Sequence, residues 1–379
     1  MLWALGLATA FTPFSTTDAL KETLRWGEAF VIWLFALTAV RRRWHLAALL
    51  ACLLLAPFAE ALIGLGQFAL GAGPPSFRIA AGLPFVRAYG TIGQPNSFAG
   101  YINMAWPLAL SFALGLSWQA WRREPQRPRA GLLLAGAWLL AATLLAALLA
   151  SFSRGAWLGA VVGLLGMALA LGGRARWAAF LALGLGALAL LFGGIGLLPA
   201  ALASRLASIT SYLLPFDASA VAITPANFAV VERMAQIQAG WRMFMAHPLT
   251  GIGPGNYSNA YPFFAIGPWY VSRGHAHNYY VHIAAESGLF GLLAYLLLLG
   301  GVLRQAWHTL RSVKTTIRRS IAIGCCGIIA AVVGHDVFEN LHVLSMGIQL
   351  AAVWALLGAL AKPEQRPHNQ SLQSTKNGS

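Results

Sequence analysis

Residues 130–172 read AGLLLAGAWLLAATLLAALLASFSRGAWLGAVVGLLGMALALG. Two long apolar runs are parted by one polar knot, Ser151-Phe152-Ser153-Arg154-Gly155. A helix needs about 20 mainly apolar residues to cross the hydrocarbon core of a bilayer, and each run approaches that length. With almost no loop between them, Arg154 cannot easily escape to solvent. Runs of the same kind occupy residues 22–40, 46–70, 95–118, 177–198, 278–303, 320–334 and 342–361, and Met1 to Phe11 forms a short tenth. The composition agrees: 379 residues that are 58% apolar and only 10% charged are too hydrophobic for a soluble domain. The expected fold class is all-α, a polytopic integral membrane protein of about ten transmembrane helices. Met1 to Phe11 lacks the basic leader and cleavage site of a signal peptide, and its abrupt start predicts a helix that begins earlier in a longer natural chain.

Charge predicts the orientation, because Lys and Arg accumulate in loops that stay in the cytoplasm. They cluster here on alternate loops: Arg41, Arg42 and Arg43; Arg122, Arg123, Arg127 and Arg129; Arg174 and Arg176; and Arg304, Arg311, Lys314, Arg318 and Arg319. The net charge of +15 thus follows from topology and contact with anionic lipid, not from nucleic-acid binding. Both termini fall inside, and residues 71–94, 199–277 and the turn from His335 to Leu341 fall outside.

The expected organisation is N-terminal membrane helices over 1–198, a longer periplasmic loop over 199–277, C-terminal membrane helices over 278–361 and a disordered cytoplasmic tail over 362–379. Within the loop, Val230, Met234, Ile237, Trp241 and Met245 recur at helical spacing, so Phe228 to Met245 reads as an amphipathic helix flanked by Arg233 and Arg242. Cys52, Cys325 and Cys326 all fall in apolar runs and read as packing residues.

Polar residues held against a membrane mark candidate chemistry, and four external clusters stand out. The first is Gly274-His275-Ala276-His277-Asn278, after which Asn278, His282 and Glu286 recur every four residues on one helical face. Such a stripe should face protein or a wet cavity. A histidine there suits general-base work, since its ordinary pKa lets it accept a proton at neutral pH. The second is the Arg154 knot, whose guanidinium fork suits phosphate oxygens. The third, Gly90-Thr91-Ile92-Gly93-Gln94-Pro95-Asn96, opens an apolar run with proline in its first turn, which helix capping alone would explain. Arg78 and Arg87 precede it. The fourth is His335-Asp336-Val337-Phe338-Glu339-Asn340, which either lines the same cavity or marks a wet turn.

Asp18, Asp217 and Asp336 are isolated from one another, so the paired aspartates of a metal-dependent nucleotide-sugar transferase are missing. No phosphate-binding lysine loop and no dinucleotide fingerprint occurs in a suitable context. The energy for any reaction must then come from the substrate or from a gradient, with no metal or cofactor expected.

In order along the chain, GTIGQPN (90–96), SFSRGAWLG (151–159), HPLTGIGPGNY (247–257), HAHN (275–278) with the following ESGLFG, and HDVFEN (335–340) resemble the O-antigen ligase superfamily. That superfamily includes O-antigen ligases, O-antigen polymerases and bacterial protein O-oligosaccharyltransferases, and the resemblance spans about residues 20 to 361. It implies a multi-pass protein of the bacterial inner membrane. The implied reaction moves a glycan from undecaprenyl pyrophosphate to a lipid, glycan or protein hydroxyl on the periplasmic face. On this resemblance His277 is the base, His275 and Asn278 support it, and Arg154 and Arg233 hold the pyrophosphate, with Arg273 a third cation by position. Gln94, Asn96 and Glu286 are further candidates for substrate contact. The chain differs from the family pattern in its late start and modest external loop. A solute or inorganic carbon transporter is the alternative of another class, and it predicts discontinuous helices or inverted repeats with midplane charges. A non-catalytic scaffold is a third.

Overall fold

The computed structural model describes residues 1–379 apart from 80–83, 123–127, 193, 198–199, 208–214, 225–226 and 363–379. The polar tail from Pro363 and the basic residues Arg123 and Arg127 therefore lie outside the described residues. Regular structure among the described residues is helical, with only two isolated bridges, Arg78 to Val86 and Ile266 to Trp269. The α-helices in chain order are α1 (Leu2–Ala10), α2 (Thr16–Ala39), α3 (Arg43–Leu70), α4 (Pro95–Asn103), α5 (Trp106–Trp121), α6 (Pro128–Ala150) and α7 (Arg154–Ala170). There follow α8 (Gly173–Leu191), α9 (Ala200–Ala207), α10 (Phe228–Ala246), α11 (Tyr257–Phe264), α12 (Tyr279–Ser312), α13 (Thr316–His335) and α14 (Met346–Ala361).

Among the described residues, five segments are long and apolar enough to cross a membrane: Arg43–Leu70, Pro95–Trp121, Ala130–Ala150, Tyr279–Ser312 and Thr316–His335. Helices α7 and α14 are apolar but shorter. Each expected apolar run holds an α-helix among the described residues, though that of 177–198 ends at Leu191, that of 342–361 starts at Met346, and two more differ in form. The run at 95–118 breaks at Met104 and Ala105 into α4 and α5. Pro107 explains this, since it has no N–H and its ring excludes the carbonyl four residues back. The run at 278–303 extends to Ser312 and is interrupted at Gly288, whose φ of 62° and ψ of −161° are not helical.

The amphipathic helix forms as α10, and it packs by a face other than the stripe of Val230, Met234, Ile237, Trp241 and Met245. Val231, Ala235, Ala239 and Met243 are buried, whereas Trp241 and Met245 are 53% and 61% exposed. The small side chains win because α10 lies close against α12 and α11, where bulky residues do not fit. A β-carbon on Gly240 would stand 3.0 Å from Val281 Cγ1 and 3.2 Å from Ala276 Cβ.

The same logic sets α7 against α13. Gly155, Gly159 and Gly163 recur every four residues and present a flat strip to α13. A β-carbon on Gly159 would lie 2.9 Å from the Ala331 carbonyl oxygen, and one on Gly163 would lie 3.1 Å from that of Gly327. Lipid removes most of the hydrophobic drive between helices, so close backbone approach and van der Waals contact must hold them. This pairing aligns Arg154, at the first turn of α7, with the end of α13 where HDVFEN begins.

Candidate active site

The site grows from a break in α12. The bend at Gly288 frees carbonyls of the preceding turn, and the 248–257 loop takes them up: Ile252 N–H donates to Ala285 O at 2.9 Å and Gly253 N–H to Glu286 O at 2.8 Å. The Glu286 carboxylate is buried and accepts the Gly255 N–H at 2.8 Å and the Tyr257 N–H at 2.9 Å. Asn256 continues the clasp, accepting Ser15 N–H at 3.0 Å and donating to Ser15 O at 3.0 Å. HPLTGIGPGNY and ESGLFG thus form one interlocked unit, with α10 and α11 projecting from it. The Asn278-His282-Glu286 stripe faces this protein interior, and His282 Nε2 stands 3.6 Å from Glu286 Oε2.

Asn278 caps α12, its side chain accepting the Val281 N–H at 3.0 Å. Just before the cap, His277 takes a left-handed conformation, φ 52°, uncommon for a residue with a β-carbon. The turn folds His277 back on His275, with ring centroids 4.3 Å apart. The His277 N–H donates to His275 Nδ1 at 3.1 Å, so that nitrogen carries no proton and the His275 hydrogen sits on Nε2. His275 Nε2 and His277 Nδ1 each lie 3.1 Å from the same atom, Glu339 Oε1.

Glu339 is 3% exposed, and its other oxygen stands 3.6 Å from Arg233 Nη2. Burial opposes its ionisation, yet His277, His275 and Arg233 together hold its carboxyl well below the usual range. Burial holds His275 neutral, pushing it down to about 3. With Glu339 ionised, His277 Nδ1 must be the donor in their hydrogen bond, which leaves Nε2 with its lone pair. Nearby, burial drives Asp336 the other way, up to about 8, which favours its protonated form. Two carboxyl groups three residues apart are thus pushed in opposite directions. Asp336 braces the turn: its Oδ1 accepts Leu341 N–H at 3.2 Å, its Oδ2 meets the Tyr295 hydroxyl at 3.1 Å, and its carbonyl accepts Tyr279 N–H at 2.7 Å.

The other motifs meet this turn. Arg233 Nη1 donates to the Phe338 carbonyl at 3.4 Å. On the far side of Phe338 runs the first turn of α7, where a β-carbon on Gly155 would stand 2.8 Å from Phe338 Cβ and 3.3 Å from His335 Cδ2. Arg154, half-buried, opens that helix. His335 itself is buried with neither ring nitrogen hydrogen-bonded. GTIGQPN joins through Arg87, whose Nε donates to Ser151 O at 2.8 Å and whose Nη2 donates to Asn96 Oδ1 at 2.8 Å.

The predicted residues therefore divide. His275, His277 and Arg233 converge on Glu339, and Arg154 borders the same turn. Asn278 is occupied as a helix cap and Glu286 as the clasp of the 251–257 loop. Arg273 is half-exposed and paired with Glu232 at 2.6 Å. Gln94 is exposed at the start of α4, and Asn96 is held by Arg87. Sequence reasoning passed over Glu339 as a site residue, although it noted HDVFEN on the same side as the histidines. His275, His277 and Glu339 offer ligand atoms within 4.8 Å of one another, a set of the kind that binds zinc. Arg233 weighs against a cation there, because it already supplies positive charge to the carboxylate.

A family model described as O-antigen ligase matches residues 138–296, from within α6 to the first half of α12. The match takes in the Arg154 knot, the 247–257 loop, both site histidines and the ESGLFG break, and it stops short of Glu339. No curated protein matches the chain. Helices fit to cross a membrane, the family match and the convergence of its motifs on one buried turn agree, and they support membership of residues 138–296 in the O-antigen ligase superfamily.

Proposed function

We propose that this chain is a metal-independent membrane glycosyltransferase that moves a glycan from undecaprenyl pyrophosphate to an acceptor hydroxyl on the periplasmic face of the bacterial inner membrane. The observation that carries the reading is the Glu339–His277 pair, which fixes one tautomer and leaves His277 Nε2 as a proton acceptor. In the reaction, His277 Nε2 takes the acceptor's hydroxyl proton as that oxygen attacks the anomeric carbon. The bond from that carbon to the phosphate oxygen breaks, and undecaprenyl pyrophosphate leaves with the electron pair. Arg154 and Arg233 neutralise charge building on the pyrophosphate, with help from the N–H groups at the start of α7. His275 and Glu339 orient the base, Asn278 caps the helix carrying it, and Glu286 sets the 251–257 loop. In this reading Gln94, Asn96 and Arg273 touch the sugar only at the rim.

The proposed topology keeps ten spans, with α10 and α11 in a periplasmic loop over 199–277 between the two helical halves, and a cytoplasmic tail over 362–379. Trp241 and Met245, exposed on α10, then face the headgroup region. Polymerisation of lipid-linked repeats uses the same residues with a second lipid-linked glycan as acceptor. Transport gains one supporting feature, the interruption of α12 at Gly288, but the 248–257 loop fills that break instead of leaving a binding space.

The test is release of undecaprenyl pyrophosphate from lipid-linked glycans by purified protein given envelope extract as acceptor, wild type against His277→Ala. Histidine-dependent release with a glycosylated product is expected. Unimpaired release by a folded His277→Ala protein would overturn the base assignment, and no release by the wild type across several glycans would overturn the transferase.

A further inference from the structure

A second cavity lies at the opposite end of α7. Helix α7 runs 17 residues from Arg154 to Ala170, a rise of about 24 Å, so this pocket is remote from the histidine cluster. It has a volume of about 540 Å³ and lies between α7, α12 and α13. Leu169, Leu303, Ala306, Leu310 and Ile329 supply apolar walls. Its rim holds three arginines, Arg176, Arg311 and Arg319, and among the described residues no acidic side chain lines it.

The rim is built, not incidental. Arg176 Nε donates to the Leu171 carbonyl at 3.0 Å, at the C-terminal end of α7. Arg319 Nη1 donates to the Leu310 carbonyl at 3.2 Å, near the end of α12. One such bond orients each guanidinium while leaving most of its five donors for a ligand. Arg311 stacks on the Trp307 ring, 4.2 Å from its centroid. The arrangement pairs an aliphatic slot within helices with a cationic, tryptophan-marked mouth.

We infer that this pocket binds a diacyl anionic phospholipid of the cytoplasmic leaflet, its phosphodiester gripped by Arg176, Arg311 and Arg319 and an acyl chain laid between α7, α12 and α13. Charge complementarity decides the occupant. A zwitterionic lipid brings an ammonium against three guanidiniums, and a soluble anion has no use for the apolar slot. Basic pockets between helices on the cytoplasmic side hold anionic headgroups by this combination. The site rests on the membrane reading of the helices and not on the chemistry at the other end of α7.

The experiment is native mass spectrometry of the full chain in detergent, titrated with dioleoyl phosphatidylglycerol or dioleoyl phosphatidylethanolamine. Preferential retention of phosphatidylglycerol is expected, weakening about fivefold for each arginine changed to glutamine. Arg41→Gln, Arg42→Gln and Arg43→Gln together remove equal charge from another basic cluster and should leave retention near wild type. Ala330→Phe keeps every charge and fills the slot, and it should also weaken retention. Equal retention of the two lipids, equal loss in that triple variant and in one carrying Arg176→Gln, Arg311→Gln and Arg319→Gln together, or full retention by a folded Ala330→Phe protein would each overturn the site. Because the readout is lipid binding, its failure would leave the transferase proposal standing, and the reverse.

Discussion

Glu339 Oε1 and His277 Nδ1 lie 3.1 Å apart across 62 residues of sequence, and this bond gives His277 its direction. A carboxylate behind an imidazole holds the ring in one tautomer and stabilises the charge it gains on accepting a proton. Glu339→Gln keeps the shape but offers an amide that can face His277 either way. Transfer should fall about 10²- to 10⁴-fold with the fold intact. Combining it with His277→Ala should lower the rate little further, since the two act as one unit. Turnover assays on the single and double variants check this, and additive losses would show that the residues act separately.

Glu286 is expected to matter for stability more than for sugar contact. Its two oxygens accept the buried Tyr257 N–H and the part-buried Gly255 N–H, and Glu286→Gln leaves one of them facing an amide. A loss of about 1–3 kcal/mol is expected, with faster amide exchange over residues 251–257. Thermal unfolding and hydrogen exchange report it, and an unchanged exchange pattern would rule the clasp out.

Gly288 has a positive φ, and a β-carbon there would collide with the Leu249 backbone. Gly288→Ala should destabilise by about 1–3 kcal/mol from strain alone, before the collision is counted. Gly163→Leu should act similarly by forcing α7 away from α13. Both are checked by unfolding in detergent, with the exposed, helical Gly300→Ala substitution as a mild comparison.

Acid should loosen the site. His275 is held down to about 3 against an ordinary 6.5, so the unfolded chain binds its proton first. The stability this group contributes is complete above the ordinary value and is lost as pH falls from about 6.5 towards 3. The depressed Glu339 adds loss in the same direction, below the ordinary carboxylate range. Asp336 has the opposite sign: its contribution declines as pH rises from the ordinary carboxylate range towards about 8. Unfolding midpoints across pH should form a dome, and His275→Gln should flatten its acid side.

Arg87 ties Ser151 to Asn96 with two bonds, which a lysine cannot make together. Arg87→Lys should reduce transfer and stability with charge unchanged, whereas Arg273→Lys, at a half-exposed ion pair, should change both little. A strong effect of the second variant would move Arg273 into the site.

Much of this protein was legible in its sequence because the bilayer imposes a local rule. Any segment crossing it must satisfy its own backbone and present apolar side chains, so helix positions and the basic side follow from residues near one another in the chain. The helical stripe of Asn278, His282 and Glu286 was equally readable, since its spacing is local. Tertiary structure alone decided what each polar residue does. Glu286 and the loop glycines meet only because α12 breaks at Gly288, and α10 packs by its alanine face because close approach to α12 favours small side chains. Glu339 lies 62 residues from His277, and no periodicity relates them. They meet because glycines on α7 let α13 approach and because Asp336 ties the following turn to α12, contacts that exist only once the helices have packed.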